Sequence, residues 1–260
     1  MRKLLLIFCL SLITLAAAAQ IAFFGDTRSN PDTHRQIVEA IVKHKPQIAF
    51  HTGDLNSRGI KQSEYDLFKK ICQPLTAICP LYPARGNHER SLQLFLDNFP
   101  ALQQSSHYTL VHDGIRFIIL DSVLGFRPAS PQYKWLQSAL ADTLPAILIM
   151  HHPVFSSGEH GDELGLQLFL PQLLKNSHVI AVFSGHDHNY ERSVYANISY
   201  IVTGGGGAPL RETKKANSHS VVIHEGYHYL IAQRIKNQLS CVAYALDGAV
   251  LDRFTLNLGK

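Results

Sequence analysis

The chain has 260 residues, 46% hydrophobic and 17% charged, ordinary proportions for a folded domain. Its net charge of +4, with fifteen histidines counted as neutral, suits anionic ligands. The basic residues are dispersed rather than clustered, which excludes a nucleic-acid-binding profile, and no repeat or low-complexity tract divides the chain.

Met1 to Ala19 reads as a leader rather than part of the fold. Arg2 and Lys3 make a positive start, Leu4 to Leu15 an apolar core, and Ala17-Ala18-Ala19 a small-residue cleavage site before Gln20. The apolar run is short for a transmembrane helix, and Cys9 lies inside it after Ile7 and Phe8, unlike a lipid-attachment cysteine. The reading is a signal peptide over 1–19 and one domain over 20–260. Such a product is expected to be exported, periplasmic or secreted, of bacterial type, and free of the membrane after cleavage; a retained anchor is the alternative. An oxidising compartment permits a Cys72–Cys79 bridge with Cys241 left as a buried thiol; three buried thiols is the alternative.

The first two-thirds alternate strand and helix. Ile21 to Phe24 is an apolar run that stops at Gly25-Asp26-Thr27-Arg28, and Ile37, Val38, Ile41 and Val42 then recur at helical spacing. Ile48 to Phe50 ends at His51-Thr52-Gly53-Asp54, and an amphipathic helix, Ser63 to Ile71, leads to Leu81-Tyr82-Pro83-Ala84 and Arg85-Gly86-Asn87-His88-Glu89. Strands are predicted at His107 to His112 and Arg116 to Asp121, and a helix around Tyr133 to Leu140. Ala146 to Met150 ends in His151-His152-Pro153, a helix spans Leu164 to Leu174, and Val179 to Phe183 reads as a buried strand ending in Gly185-His186-Asp187-His188. The last third reads as short antiparallel strands, with Asp247-Gly248 the strongest hairpin signal. The pattern predicts an α/β fold, a layered αββα sandwich whose second sheet is mainly antiparallel. His224 and His228 read as strand or hairpin residues.

Polar side chains gather where strands end, which is where open α/β sheets place ligands. Asp26, Asp54, Asn87, His151, His186 and His188 supply oxygen and imidazole donors in the mixture that suits two first-row metal ions. His186 and His188 are too close in sequence to share one ion without strain, and suit two adjacent ions. Two exposed loop histidines would give the same pattern; the company of three other strand ends favours the metal reading. Asp54 is the natural bridge, and two ions about 3.5–4 Å apart can activate a water for in-line displacement at phosphorus. No Gly-x-Ser-x-Gly elbow, phosphate-binding glycine loop or Cys-x-x-Cys offers competing chemistry.

These blocks resemble, in order, those of the calcineurin-like metallophosphoesterases, and most closely the purple-acid-phosphatase-like branch. They are Gly25-Asp26, Gly53-Asp54, Gly86-Asn87-His88-Glu89, Leu148-x-x-His151 and Gly185-His186-Asp187-His188. His188-Asn189-Tyr190-Glu191-Arg192 and the run Thr203 to Pro209 are similar to segments of secreted members. The resemblance implies a dinuclear-metal phosphoesterase that attacks small phosphomonoesters with a metal-bound hydroxide. A phosphodiesterase or a non-catalytic metal- or phosphate-binding protein is the alternative. It implies two ions drawn from Fe, Mn and Zn: one on Asp26, Asp54 and His188, the other on Asp54, Asn87, His151 and His186. Pro153 favours His151 over His152, which then faces substrate; the reverse assignment stays open. His88 is the implied general acid beside Asp54, and Arg28 and Arg58 are candidate substrate contacts, although a surface arginine after a turn also explains Arg58. Arg85 and Glu89 read as braces of their loop. Two departures stand out. Arg28 takes the place of a histidine common in the first block. Ser57 takes the place of the metal-binding tyrosine of purple acid phosphatases, and of the aspartate that orients the catalytic histidine in protein phosphatases, so His88 is expected to be less firmly held.

Overall fold

The computed structural model describes residues 19–213 and 215–259. The leader reading over 1–18 lies outside the described residues. Among the described residues no helix is long and apolar enough to cross a membrane.

Two mixed sheets pack face to face. The first has the order β13 (Val250–Asn257), β12 (Gln238–Ala245), β11 (His228–Ile235), β1 (Gln20–Phe24), β2 (Ile48–His51), β3 (Leu81–Pro83). The second has the order β10 (Ser220–His224), β8 (Tyr190–Tyr195), β9 (Ile198–Thr203), β7 (Val179–Ser184), β6 (Ala146–Ile149), β5 (Ile115–Ile119), β4 (Tyr108–His112). Helices α1 (Pro31–Lys43), α2 (Gln62–Thr76) and α3 (Leu92–Asn98) cover the first sheet, and α4 (Pro131–Ala139) and α5 (Leu164–Leu174) cover the second. This is the expected αββα sandwich.

Period-two alternation builds the layers. Ile21 and Phe23 of β1 enter the core between the sheets, while Ala22 and Phe24 face the helices with Ile37, Val38 and Ile41. Phe23 stacks on Phe183 of the opposite sheet at 4.0 Å between ring centroids. Local chemistry sets the helix starts: the Asn30 side chain accepts from Thr33 N–H, the Ser130 hydroxyl accepts from Tyr133 N–H, and prolines hold the first helical positions. The short α3 has no counterpart in the sequence reading, although Ser91 caps it by accepting from Leu94 N–H.

The C-terminal strands do not form a sheet of their own. β11, β12 and β13 extend the first sheet through antiparallel pairing of β11 with β1, and β8, β9 and β10 extend the second beside β7. The first sheet is therefore parallel from β1 to β3 and antiparallel from β1 to β13, and the second is parallel at its centre and antiparallel at both margins. The Cys72–Cys79 bridge is not formed: Cys72, Cys79 and Cys241 are free and buried. The reason is direction: Cys72 turns its sulfur to His34 of α1, 3.4 Å from Nε2, Cys79 packs into the core under the helices, and Cys241 lies between the sheets. His228 is a buried strand residue, its ring paired with the Gly226 carbonyl at 2.8 Å.

Candidate metal centre

Parallel β1, β2 and β3 deliver Asp26, Asp54 and Asn87 to the same edge of the sandwich as the residues that follow β6 and β7. Hydrogen bonds there hold the strand ends within each sheet and, from His186 to Asp26, join the two sheets. Gly185 N–H donates to the His151 carbonyl at 2.9 Å, Asp26 N–H donates to the Gly53 carbonyl at 2.9 Å, and His186 N–H donates to the Asp26 carboxylate at 3.0 Å. The backbone is strained where it turns: Asp26, Asp54 and His186 have φ of 55°, 57° and 73°. Left-handed conformations at such residues cost about 1–3 kcal/mol each and persist only where the surroundings impose them. Close approach explains two glycines, since a Cβ at Gly86 would overlap the Asp54 backbone and one at Gly185 would overlap the Asp26 carboxylate.

Two groups of donors result. Asp26, Asp54 and His188 form one, and His151, His152 and His186 the other, each with its ligand atoms within 4.8 Å of one another. Asn87 joins the second group: His151 Nε2 lies 2.9 Å from Asn87 Oδ1, 3.3 Å from Asp54 Oδ1 and 3.2 Å from His186 Nδ1. Asp54 thus touches both groups, and His186 and His188 fall on different sides of it. His152 lies in reach of the second group, but its Nδ1 pairs with the Ser122 hydroxyl at 2.9 Å.

The donor chemistry fits bound cations. His151 Nδ1–H donates to the Thr52 carbonyl at 2.9 Å and His188 Nδ1–H to the Pro209 carbonyl at 2.5 Å, which leaves a lone pair on each Nε2. His188 Nε2 is buried, 3.6 Å from Asp26 Oδ1, and has no hydrogen-bond partner. Around His151 Nε2 two oxygen acceptors, Asn87 Oδ1 and Asp54 Oδ1, converge with the His186 ring, a donor set that suits a cation among them. Burial, with Asp54 beside it, pushes the Asp26 carboxyl well above the usual range. Burial also lowers His151 and His186 and brings His188 down to about 4, so the imidazoles are neutral and competent to bind metal.

The surrounding side chains hold this geometry. Glu89, fully buried, accepts from the backbone N–H groups of Asp54, Asn56 and Gly86 at 2.9–3.0 Å. Arg85 donates to Asp121 at 2.8 Å and to the Glu89 carbonyl at 3.2 Å, so both residues act as braces. His88 N–H donates to Asp54 Oδ1 at 3.0 Å, and its ring Nε2 is 3.9 Å from Asp54 Oδ2. Ser57 orients His88 after all, through its backbone: His88 Nδ1–H donates to the Ser57 carbonyl at 2.5 Å. Arg28 Nε donates to Asp54 Oδ2 at 3.1 Å. Arg58 is exposed and anchored by its own N–H, which donates to Glu64 at 2.9 Å.

Two residues at the site escaped sequence reasoning. The exposed His160 ring stacks on His186 at 4.3 Å, and Arg211 donates to the His186 carbonyl at 3.0 Å while facing Glu159 at 3.5 Å. Asp187, between the two histidines, explains the first: its buried carboxylate accepts from the N–H groups of His160 and Gly161 and from Ser156 Oγ–H, folding that loop over the site. An acidic residue inside a His-x-His block was the available signal.

The calcineurin-like phosphoesterase family model matches residues 19–190. Purple acid phosphatase 18 of Arabidopsis thaliana is 29% identical over 208 residues, covering 71% of this chain and 46% of that protein. The chain therefore spans about half the length of such curated relatives. In fold, it is similar to the purple acid phosphatase PPD1 from yellow lupin (Lupinus luteus) seeds, with a TM-score of 0.76, 21% identity, and coverage of 93% of this chain and 54% of that one. It is also similar to GAP50, the anchor in the inner membrane complex of Plasmodium, with a TM-score of 0.78, 16% identity, and coverage of 94% and 90%. With its blocks gathered at one edge of the sandwich and matched by the family model, the chain belongs to the calcineurin-like phosphoesterase family and has purple acid phosphatases among its relatives.

Proposed function

We propose that the chain is a dinuclear-metal phosphoesterase acting on small phosphomonoesters. The observation that carries this reading is the pair of donor groups meeting at Asp54, one with Asp26 and His188, the other with Asn87, His151 and His186. Fe, Mn and Zn all accept such oxygen and imidazole donors. When bound, two ions would polarise the phosphoryl oxygens and lower the pKa of a water to about 7. The chain's own side chains supply the rest. His88, with Nδ1–H committed to the Ser57 carbonyl, keeps Nε2 for the proton that the leaving alkoxide needs. His152 is placed 4.5 Å from His186 between ring centroids, suited to face the substrate, with Ser122 fixing its ring. Arg28 is within reach of a phosphoryl group, and Arg58 is available from the solvent side.

Hydrolysis of a monoester and of the bis-ester of the same alcohol by the purified protein, reconstituted with defined metals, tests the assignment. Preference for the monoester is expected; preference for the bis-ester would make the protein a phosphodiesterase. A non-catalytic reading draws on the fold shared with GAP50, named as an anchor. Two ions bound with no turnover of any phosphate ester would establish it. Asp54→Ala should weaken both ion sites and Asp26→Ala mainly one, as elemental analysis would read; equal losses of a single ion would remove Asp54 as the bridge. We also propose export, from the apolar run and Ala17-Ala18-Ala19. A secreted product whose amino terminus is Gln20 is expected, and an uncleaved cytoplasmic product would refute it.

A further inference from the structure

We propose that Arg28, given the two-ion centre proposed above, makes that centre unequal: its guanidinium weakens the site at Asp26, Asp54 and His188, so that the site at Asn87, His151 and His186 fills first. The geometry is specific. Arg28 Nε donates to Asp54 Oδ2 at 3.1 Å and Nη1 donates to the Ser29 hydroxyl at 3.2 Å, so the charge is held at two points, with the side chain only 13% exposed. Asp54 Oδ1, by contrast, is turned to His151 and the His88 N–H. The shared carboxylate therefore carries a fixed positive group on one oxygen and leaves the other to the second site.

Electrostatics point the same way. Two carboxylates would ordinarily make the Asp26 side the stronger cation site. Arg28 cancels one of those charges, and the side offers three protein donors against four on the other. Groups that touch a ligand without binding the ion change metal affinity by about 10–100-fold when altered.

The test is titration of the chelator-stripped full chain with manganese(II) alone, followed by calorimetry and by electron paramagnetic resonance at one and two equivalents. The expected result is two steps separated by about 10–100-fold in affinity, with an isolated-ion spectrum at one equivalent. His186→Ala should abolish the tight step and His188→Ala the weak one. Arg28→Met should tighten the weak step by about 10–100-fold and leave the tight step unchanged, while Arg28→Lys, which keeps the charge, should leave the weak step weak. A melting temperature within a few degrees of wild type, roughly the effect of 1 kcal/mol, checks that these variants are folded. The inference is overturned, with the two-ion reading intact, if Arg28→Met leaves both steps unchanged or if His188→Ala removes the tight step. Failure of the wild type to bind any manganese would overturn both.

Discussion

Arg85→Met isolates the brace that connects the Asn87–His88 loop to the loop after β5. The Arg85 side chain is 6% exposed and its partner Asp121 fully buried, so water cannot replace the lost contact. Removing one partner of a buried ion pair costs about 3–5 kcal/mol, because the other charge remains without compensation. Asp121 retains one bond, accepted by Oδ1 from Val123 N–H, which argues for the lower half of that range. The Glu89 carbonyl also loses the Arg85 guanidinium, worth about 1 kcal/mol. At roughly 2–4 °C per kcal/mol for a chain of this size, the melting temperature should fall by about 8–20 °C. Thermal unfolding of Arg85→Met, Asp121→Asn and the double variant closes the cycle, and the double variant should be more stable than the sum of single losses by at least about 1 kcal/mol. Strict additivity, or a fall under about 2 °C in Arg85→Met, would refute the account of Arg85 as a buried brace.

Three further outcomes are expected. His88→Ala should slow hydrolysis of alkyl phosphates by about 10²–10⁴-fold and that of an activated aryl phosphate far less, since only the poor leaving group needs the proton; equal loss across leaving groups would assign His88 to positioning. Loaded with ferric iron, the protein should show no tyrosinate charge-transfer band, because Ser57 holds the tyrosine position and Tyr190 donates its hydroxyl to Asp252 at 2.7 Å; a purple wild type would refute that ligand set. Burial lowers His34 to about 3 and His228 to about 4, both below the unfolded value of 6.5. The folded state therefore favours their neutral forms, and the stability this contributes is present above pH 6.5 and lost as pH falls toward 3–4. For His34 alone the loss approaches about 4–5 kcal/mol, so His34→Gln should flatten the acid limb of a stability profile measured by urea unfolding, and an unchanged limb would contradict it.

What the sequence determined by itself is what local chemistry encodes. Continuous apolar runs such as Val179 to Phe183, closed by Gly-Asp or Gly-His, mark both a buried strand and the loop after it, because short apolar runs and glycine turns act over a few residues. That was enough to bring Asp26, Asp54, Asn87, His151, His186 and His188 forward as one set, and to predict α5 at its observed bounds. What only the tertiary structure decided depends on partners far apart in the chain. β11 pairs with β1 rather than with a separate sheet because Leu230 and Ala232 find the same core as Ile21 and Phe23, and nothing local to β11 records that neighbour. Cys72 turns to His34 rather than to Cys79 through the packing of α2 on α1. His160 and Arg211 reach His186 only because Asp187 and Glu159 fold two distant loops over it. Likewise, the resemblance implied that Arg28 stands where a ligand is common. That its guanidinium settles on the carboxylate of Asp54 is a matter of backbone direction after Asp26, whose left-handed turn is held by Gly53 and Asp54 of the neighbouring strand end.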